Sequence, residues 1–217
     1  MTPPLLKSMD AHLRFVFITG VSKFTKTSLF SGLNNLTDIT MLRRYANICG
    51  IPVENLEEYF GEHIERLRDD EWFKNCENTA EIKEQILWWY DGYSWDGETK
   101  LLNPFSLLSF FWAEKFHSFW YASGSPKFLL DYIKRQPETY VNLANCKITE
   151  PMLDSVDIDK IEVELLLFYT GYLTVKEILQ PVPYSSPVYV IDIPNFEVRE
   201  AFAFLGRDDI EMKTERG

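Results

Sequence analysis

The stretch Arg14–Phe30, RFVFITGVSKFTKTSLF, constrains this chain more than any other. An unbroken apolar run, Phe15 to Ile18, leads into Gly20 and then into a segment carrying Lys23 and Lys26. Such a run predicts a strand covered on both faces by helices in a parallel sheet, because neither of its sides favours water. Strand, glycine turn and helix together are how nucleotide-binding α/β folds aim backbone N–H groups at a phosphate. Gly20 to Thr27 nearly spell the phosphate-loop pattern G-x-x-x-x-G-K-[ST], but Thr25 stands where the second glycine belongs. The backbone there must approach the phosphate closely, often at positive φ, which a β-branched residue adopts only at high cost. An ordinary strand-to-helix turn explains the same residues and is the stronger reading. A strand also needs neighbours, and the next fifty residues supply at most one more, around Ala46 to Cys49.

Charge narrows the function classes. The 217 residues hold 22 basic and 33 acidic side chains, for a net charge of −11. That balance argues against non-specific binding to nucleic acid or to an anionic membrane. Residues 1–50 carry a net +4 and the remainder −15. A basic patch beside the glycine turn suits a phosphate, but a charge count of this size is usually solvated surface, and that is the stronger reading. Cys49, Cys76 and Cys146 are odd in number and form no C-x-x-C pair, so they read as intracellular thiols and not as a disulfide framework or zinc site. His12, His63 and His117 have no second ligand at metal spacing. No apolar stretch reaches the roughly 18 residues a membrane span needs, and the first residues lack a signal-peptide pattern. The expected location is the cytoplasm.

Beyond residue 50 the periodicity is helical. Val53, Leu56, Tyr59/Phe60, Ile64 and Leu67 recur at three- and four-residue spacing, and Ile82, Ile86, Leu87 and Trp89/Tyr90 supply a second stripe after Thr79. Asp91-Gly92 and Asp96-Gly97 are turn pairs flanking Tyr93 to Trp95, which predicts a small aromatic hairpin. Asn103-Pro104 starts a further helix, Asn as cap and Pro at the first helical position. Its row Phe105, Leu108, Phe111/Trp112, Phe116 and Phe119/Trp120 is assigned to packing and not to base stacking, because only Lys115 is interleaved with it. Leu165 to Tyr172 read as a helix ending at Gly171. Tyr172 to Val175 and Val188 to Ile193 read as two strands joined by a Pro/Ser-rich wing, with Lys176 out in the wing region. The segment beginning Pro194-Asn-Phe-Glu-Val-Arg199 opens a closing helix.

FVFITGVSKFTKTSLFSGLNNLTDITM, RYANICGI, VENLEEYF, WYDGYSWDG, LLNPFSLLSFF, FWYASGSPKFLL, LLLFYTGYLTV and IPNFEVREAF follow one another in an order that resembles the bacterial AAA-ATPase-like family over nearly the whole chain. In that family a PD-(D/E)XK nuclease-like domain usually follows the ATPase. The resemblance places Walker A and Walker B upstream of the segment matching Leu5 to Asp10, and the nuclease-like domain near or beyond Gly217. It therefore implies a predominantly helical α/β fold, the C-terminal half of a P-loop ATPase-like module. Residues 1–50 would be the end of the nucleotide-binding core, 51–135 a helical lid and 136–217 a winged-helix-like region.

The same resemblance assigns sites. Thr19, Gly20, Ser22 and Lys23 lie where related folds place a first sensor of the γ-phosphate, and Lys23 is the first choice, with a solvent-facing turn lysine as the competing reading. Gly124, Ser125 and Pro126 resemble a Gly-x-Pro turn that contacts adenine, although Ser-Pro before a helix is also common helix-start grammar. Phosphoryl transfer needs a Mg²⁺-holding carboxylate and a phosphate cradle, and neither is visible. No catalytic or metal-binding residue is assigned. ATP with Mg²⁺ is expected only together with the upstream half, and the expected partners are that half and the nuclease-like domain. A non-catalytic interaction module derived from the ATPase is the alternative. A DNA-associated winged helix is weaker, since residues 148–177 are rich in Asp and Glu.

Overall fold

The computed structural model describes residues 12–19, 37–122, 145–154, 161–180 and 182–203. The protein is mixed α/β, with two small antiparallel sheets and two hydrophobic cores.

The first core is helical. After a 3₁₀ turn at Val53–Asn55, α1 (Leu56–Leu67) buries Leu56, Ile64 and Leu67, as the stripe predicts. The next helix, α2 (Thr79–Tyr90), is capped one residue earlier than Thr79 suggested. The Asn78 side chain accepts the Glu81 N–H, and Glu81 reaches back to the Glu77 N–H at 3.0 Å. The first bond satisfies a donor that the first turn leaves open, and the second ties down the residue before the cap. A third helix, α3 (Pro104–Ala113), starts as expected: Asn103 Oδ1 accepts the N–H groups of Phe105 and Ser106. It stops where Glu114 takes a left-handed conformation, φ 52°. Strands β1 (Ile51–Pro52) and β2 (Leu101–Leu102) pair antiparallel and tie the entry of α1 to the entry of α3. The expected strand at Ala46 to Cys49 is instead irregular chain, and pairing begins at Ile51.

The face that α3 buries differs from the expected one. Ser106, Leu107 and Phe110 point inward, whereas Phe105, Leu108 and Trp112 are exposed, Trp112 at 88%. The helix is apolar almost all round, so periodicity could not choose its face. Phe110 was chosen by aromatic packing, with rings of Phe73, Tyr90 and Phe116 within 6.1 Å of its own.

The second core is built on a sheet. Strand β3 (Cys146–Thr149), short helices α5 (Glu150–Asp154) and α6 (Val163–Tyr169), and strands β4 (Thr174–Leu179) and β5 (Val188–Asp192) follow in order, α4 (Phe119–Ala122) having come before. The sheet order is β3-β5-β4, with β5 central and antiparallel to both neighbours. Gly171 at φ +81° ends α6, because a left-handed residue lets the N–H groups of Gly171 and Tyr172 turn back onto the carbonyls of Phe168 and Leu167. A closing helix, α7 (196–203), is capped by Asn195, whose side chain accepts the Val198 N–H at 3.1 Å.

The leading apolar run does not behave as a sheet strand. Residues 15–19 carry no strand assignment, and Phe15 and Phe17 are 79% and 51% exposed, their rings stacked on each other at 6.5 Å. A strand forms only when a neighbour accepts its backbone ladder, and among the described residues both sheets are closed elsewhere and are antiparallel, not parallel.

Candidate functional site

Of the residues assigned to nucleotide sensing, Thr19 alone falls in the described structure, where it is exposed. Gly20, Ser22, Lys23, Gly124, Ser125 and Pro126 lie outside the described residues, as does most of the near-phosphate loop. Among the described residues no group of three or more His, Cys, Asp or Glu side chains is arranged to hold a metal ion. No described helix is long and apolar enough to cross a membrane.

What the structure does assemble is a polar seam between the two cores. The hairpin after α2 forms its lower part. Asp96 turns it by accepting the N–H groups of Glu98 and Thr99, and Tyr93 and Leu101 exchange backbone hydrogen bonds. The turn bonds to Asp96 hold its carboxyl below the usual carboxylate range, although burial works against them. Ser94 donates its N–H to Thr174 Oγ1 at 2.7 Å and accepts the Thr174 hydroxyl on its own carbonyl at 2.8 Å. Tyr93 donates to the Gly171 carbonyl. This hairpin therefore docks on the start of β4. Gly92 makes the approach feasible: at φ +117°, a Cβ there would collide with the Pro194 carbonyl oxygen.

The upper part centres on Glu197, which is fully buried. Its Oε1 accepts the Ser106 hydroxyl from α3 at 3.0 Å and the Trp120 N–H from α4 at 2.9 Å. Ser118 donates to the Glu197 carbonyl at 3.3 Å and to the Glu200 carboxylate. Glu197 Oε2 is buried with no partner. Burial pushes the Glu197 carboxyl up to about 7, against the pull of the hydrogen bonds from Trp120 and Ser106, and the nearby Glu200 charge adds to the rise. Beneath it, the Tyr90 hydroxyl donates to the His117 carbonyl and accepts the His117 N–H, and burial raises its phenol above the ordinary range. Both serines bonded to carboxylates are nearly inaccessible, whereas Glu200 is partly exposed. The bonds of the cluster fasten α7 to α3 and α4.

A second charged group flanks the seam. The irregularity between Val175 and Glu177 in β4 leaves Lys176 as the extra residue. A bulge re-aims its side chain, and Lys176 Nζ donates to the Pro194 carbonyl at 3.4 Å. Lys176 is half-buried and not out in a solvated wing. Burial lowers its pKa, and Lys100 lowers it further. Asp91 is raised, first by burial, and its Oδ1 is buried without a partner.

The sequence reading passed over Glu197, Ser106 and Ser118. One signal was present: Glu197 sits within the apolar stripe of α7, one turn before Ala201 and beside Val198, both fully buried. An acidic residue on a buried stripe calls for partners on another element.

No family model matches the chain. "Uncharacterized protein in vnfD 5'region" from Azotobacter chroococcum mcd 1 is 36% identical to it over 195 residues. The alignment covers 90% of this chain and 34% of that protein, so the chain spans about a third of the length of the curated relative it matches. No solved structure matches.

Proposed function

We infer that this chain is the nucleotide-sensing, regulatory half of an AAA-like ATP-binding protein and does not hydrolyse ATP by itself. The observation that carries this reading is the apolar run Phe15 to Ile18, which has the composition of a central sheet strand yet leaves Phe15 and Phe17 exposed and unpaired among the described residues. Such a run fits a sheet completed by another part of a larger protein. The alignment with a relative about three times as long supports the same view. Among the described residues, the order of β3, two helices, β4 and β5, with β5 central, supports a winged-helix-like reading of this region. The acidic character of residues 148–177 favours a unit that packs on protein over one that reads DNA.

In this reading Thr19, Gly20, Ser22 and Lys23 meet the phosphates and Gly124, Ser125 and Pro126 the base, with ATP and Mg²⁺ held mainly by the upstream half. The test is a titration with a fluorescent ATP analogue, of this chain alone and of this chain mixed with the upstream half. Binding by the mixture, weakened by Lys23→Ala and by Pro126→Ala and untouched by Lys74→Ala, is the expected result. Lys74 suits the control because it is exposed and pairs only with Glu71 in the described structure. Equal binding by all variants sinks both site assignments. Nucleotide turnover by the chain alone sinks the regulatory role.

A non-catalytic interaction module is the second reading, favoured by the row Phe105, Leu108 and Trp112 along the outer face of α3. It predicts no nucleotide binding in either arm of the titration.

A further inference from the structure

We propose that Glu197 is a proton-controlled latch between the helical core and the sheet core: protonated, it fastens α7 to α3 and α4, and ionised, it loosens that seam. The proposal stands independently of any nucleotide. Helix α7 belongs to the sheet core through Val198 and Phe202. Ser106 is carried by α3, whose Leu107 and Phe110 belong to the helical core. Glu197 Oε1 is thus an acceptor shared by Ser106 of α3 and by Trp120 of α4, a helix whose Phe119 packs on the helical core and whose Trp120 packs on the sheet core, while Oε2 is buried without a hydrogen-bond partner. A proton on Oε2 removes a buried charge that is compensated only by the hydrogen bonds to Oε1, and its loss restores that charge near Glu200.

The groups around Glu197 identify it as the responsive one. Tyr90 on α2 and Tyr93 on the hairpin face it, and burial raises both phenols well above the ordinary range, so they stay neutral near neutrality. Glu200 lies on the same helix with its carboxylate bonded to Ser118. From the α4 approach, Ser118 offers its hydroxyl and His117 its backbone to Tyr90, and α3 offers Ser106. No described Lys or Arg hydrogen-bonds or ion-pairs with Glu197.

The sign follows from linkage. A carboxyl whose fastened-state pKa, about 7, exceeds its ordinary value of 4.5 keeps its proton in the closed seam. The fastening is complete below about 4.5 and is lost as pH rises toward 7. The seam's opening constant should rise by about tenfold per pH unit within that window and level off above it.

Amide exchange on the full chain reads this directly. The Trp120 N–H, bonded to Glu197, should lose protection between pH 5 and 7 beyond the intrinsic base catalysis by about tenfold per unit. The Ile191 N–H in the central strand should not. Glu197→Gln keeps an acceptor for Ser106 and Trp120 and carries no charge, so it should abolish the extra pH dependence and hold the seam closed at pH 8. An unchanged Trp120 profile in Glu197→Gln, or equal losses at Trp120 and Ile191, overturns the proposal. Should the variant fail to fold, carbon NMR of labelled glutamate in the unmodified chain decides: a Glu197 carboxyl midpoint near 7 supports the latch, and one in the ordinary carboxylate range overturns it.

Discussion

The helical core and the sheet core are made from different kinds of information. The helical core gathers residues from one continuous stretch, Leu56 to Phe110, and its contacts join neighbouring helices with their own caps and stripes. The sheet core pairs 146–149 with 188–191, and borrows Tyr93 and Leu101 from the hairpin. Local periodicity suffices to build the first. The second exists only after distant segments meet, which costs loop-closure entropy before any contact forms. The seam joins them by shape as well as polarity: Phe196 at the start of α7 stacks on Trp88 at 4.0 Å and meets Trp89 edge-on.

Gly92→Ala attacks the seam where the difference between the cores is sharpest. The added Cβ meets the backbone of Pro194 and must be held at positive φ, so neither core can relieve it by moving a side chain. A loss of about 4 kcal/mol or more, seen as failure to reach a cooperative thermal transition, is expected. A variant that melts like the parent would mean that the cores are not pinned together there.

Phe110→Ala tests the helical core alone. The ring is fully buried among aromatic neighbours, and its removal should cost about 3–5 kcal/mol in denaturant unfolding. If near-ultraviolet circular dichroism shows the sheet core's Tyr172 and Trp120 environment melting at the same midpoint, the two cores unfold as one unit. Two separated transitions would divide them.

A cap is a smaller matter. Asn103→Ala removes the acceptor for the N–H groups of Phe105 and Ser106 and should cost about 1 kcal/mol, measured by chemical denaturation. No change would indicate that Pro104 alone sets the start of α3.

The smallest effect is expected at Trp112. Because it is 88% exposed, Trp112→Ala should alter stability by no more than about 0.5 kcal/mol. Its signature should be reduced self-association in sedimentation, since the exposed row of α3 is contiguous apolar surface. A large loss of stability would place Trp112 in the core after all.

Capping and turn chemistry were legible because they are local. Asn103-Pro104, Gly171 and the Asp96 turn each act through residues within a few positions, and each appears where the sequence indicated. The inward face of α3 was not legible, since a helix apolar all round packs by whichever rings reach it, here those of Phe73 and Phe116. Strand β3 was missed because four residues with one buried side chain carry almost no periodic signal. Of the seven residues that the sequence resemblance assigns to nucleotide sensing, six lie outside the described structure, and the seventh, Thr19, is exposed.

By itself, the sequence determined the apolar stripes of α1 and α2, the start of α3 and the acidic balance of the chain, because propensity, capping and net charge are properties of short segments or of composition. The stop of α3 at Ala113, by contrast, falls short of the expected row's Phe116 and Phe119/Trp120. Only the tertiary structure decided that Phe15 and Phe17 stand in solvent, that Lys176 turns inward at a bulge, and that Glu197 is buried between two cores. Burial and pairing depend on which distant surfaces come together, and a carboxylate acquires its altered proton affinity only when water has been removed from around it.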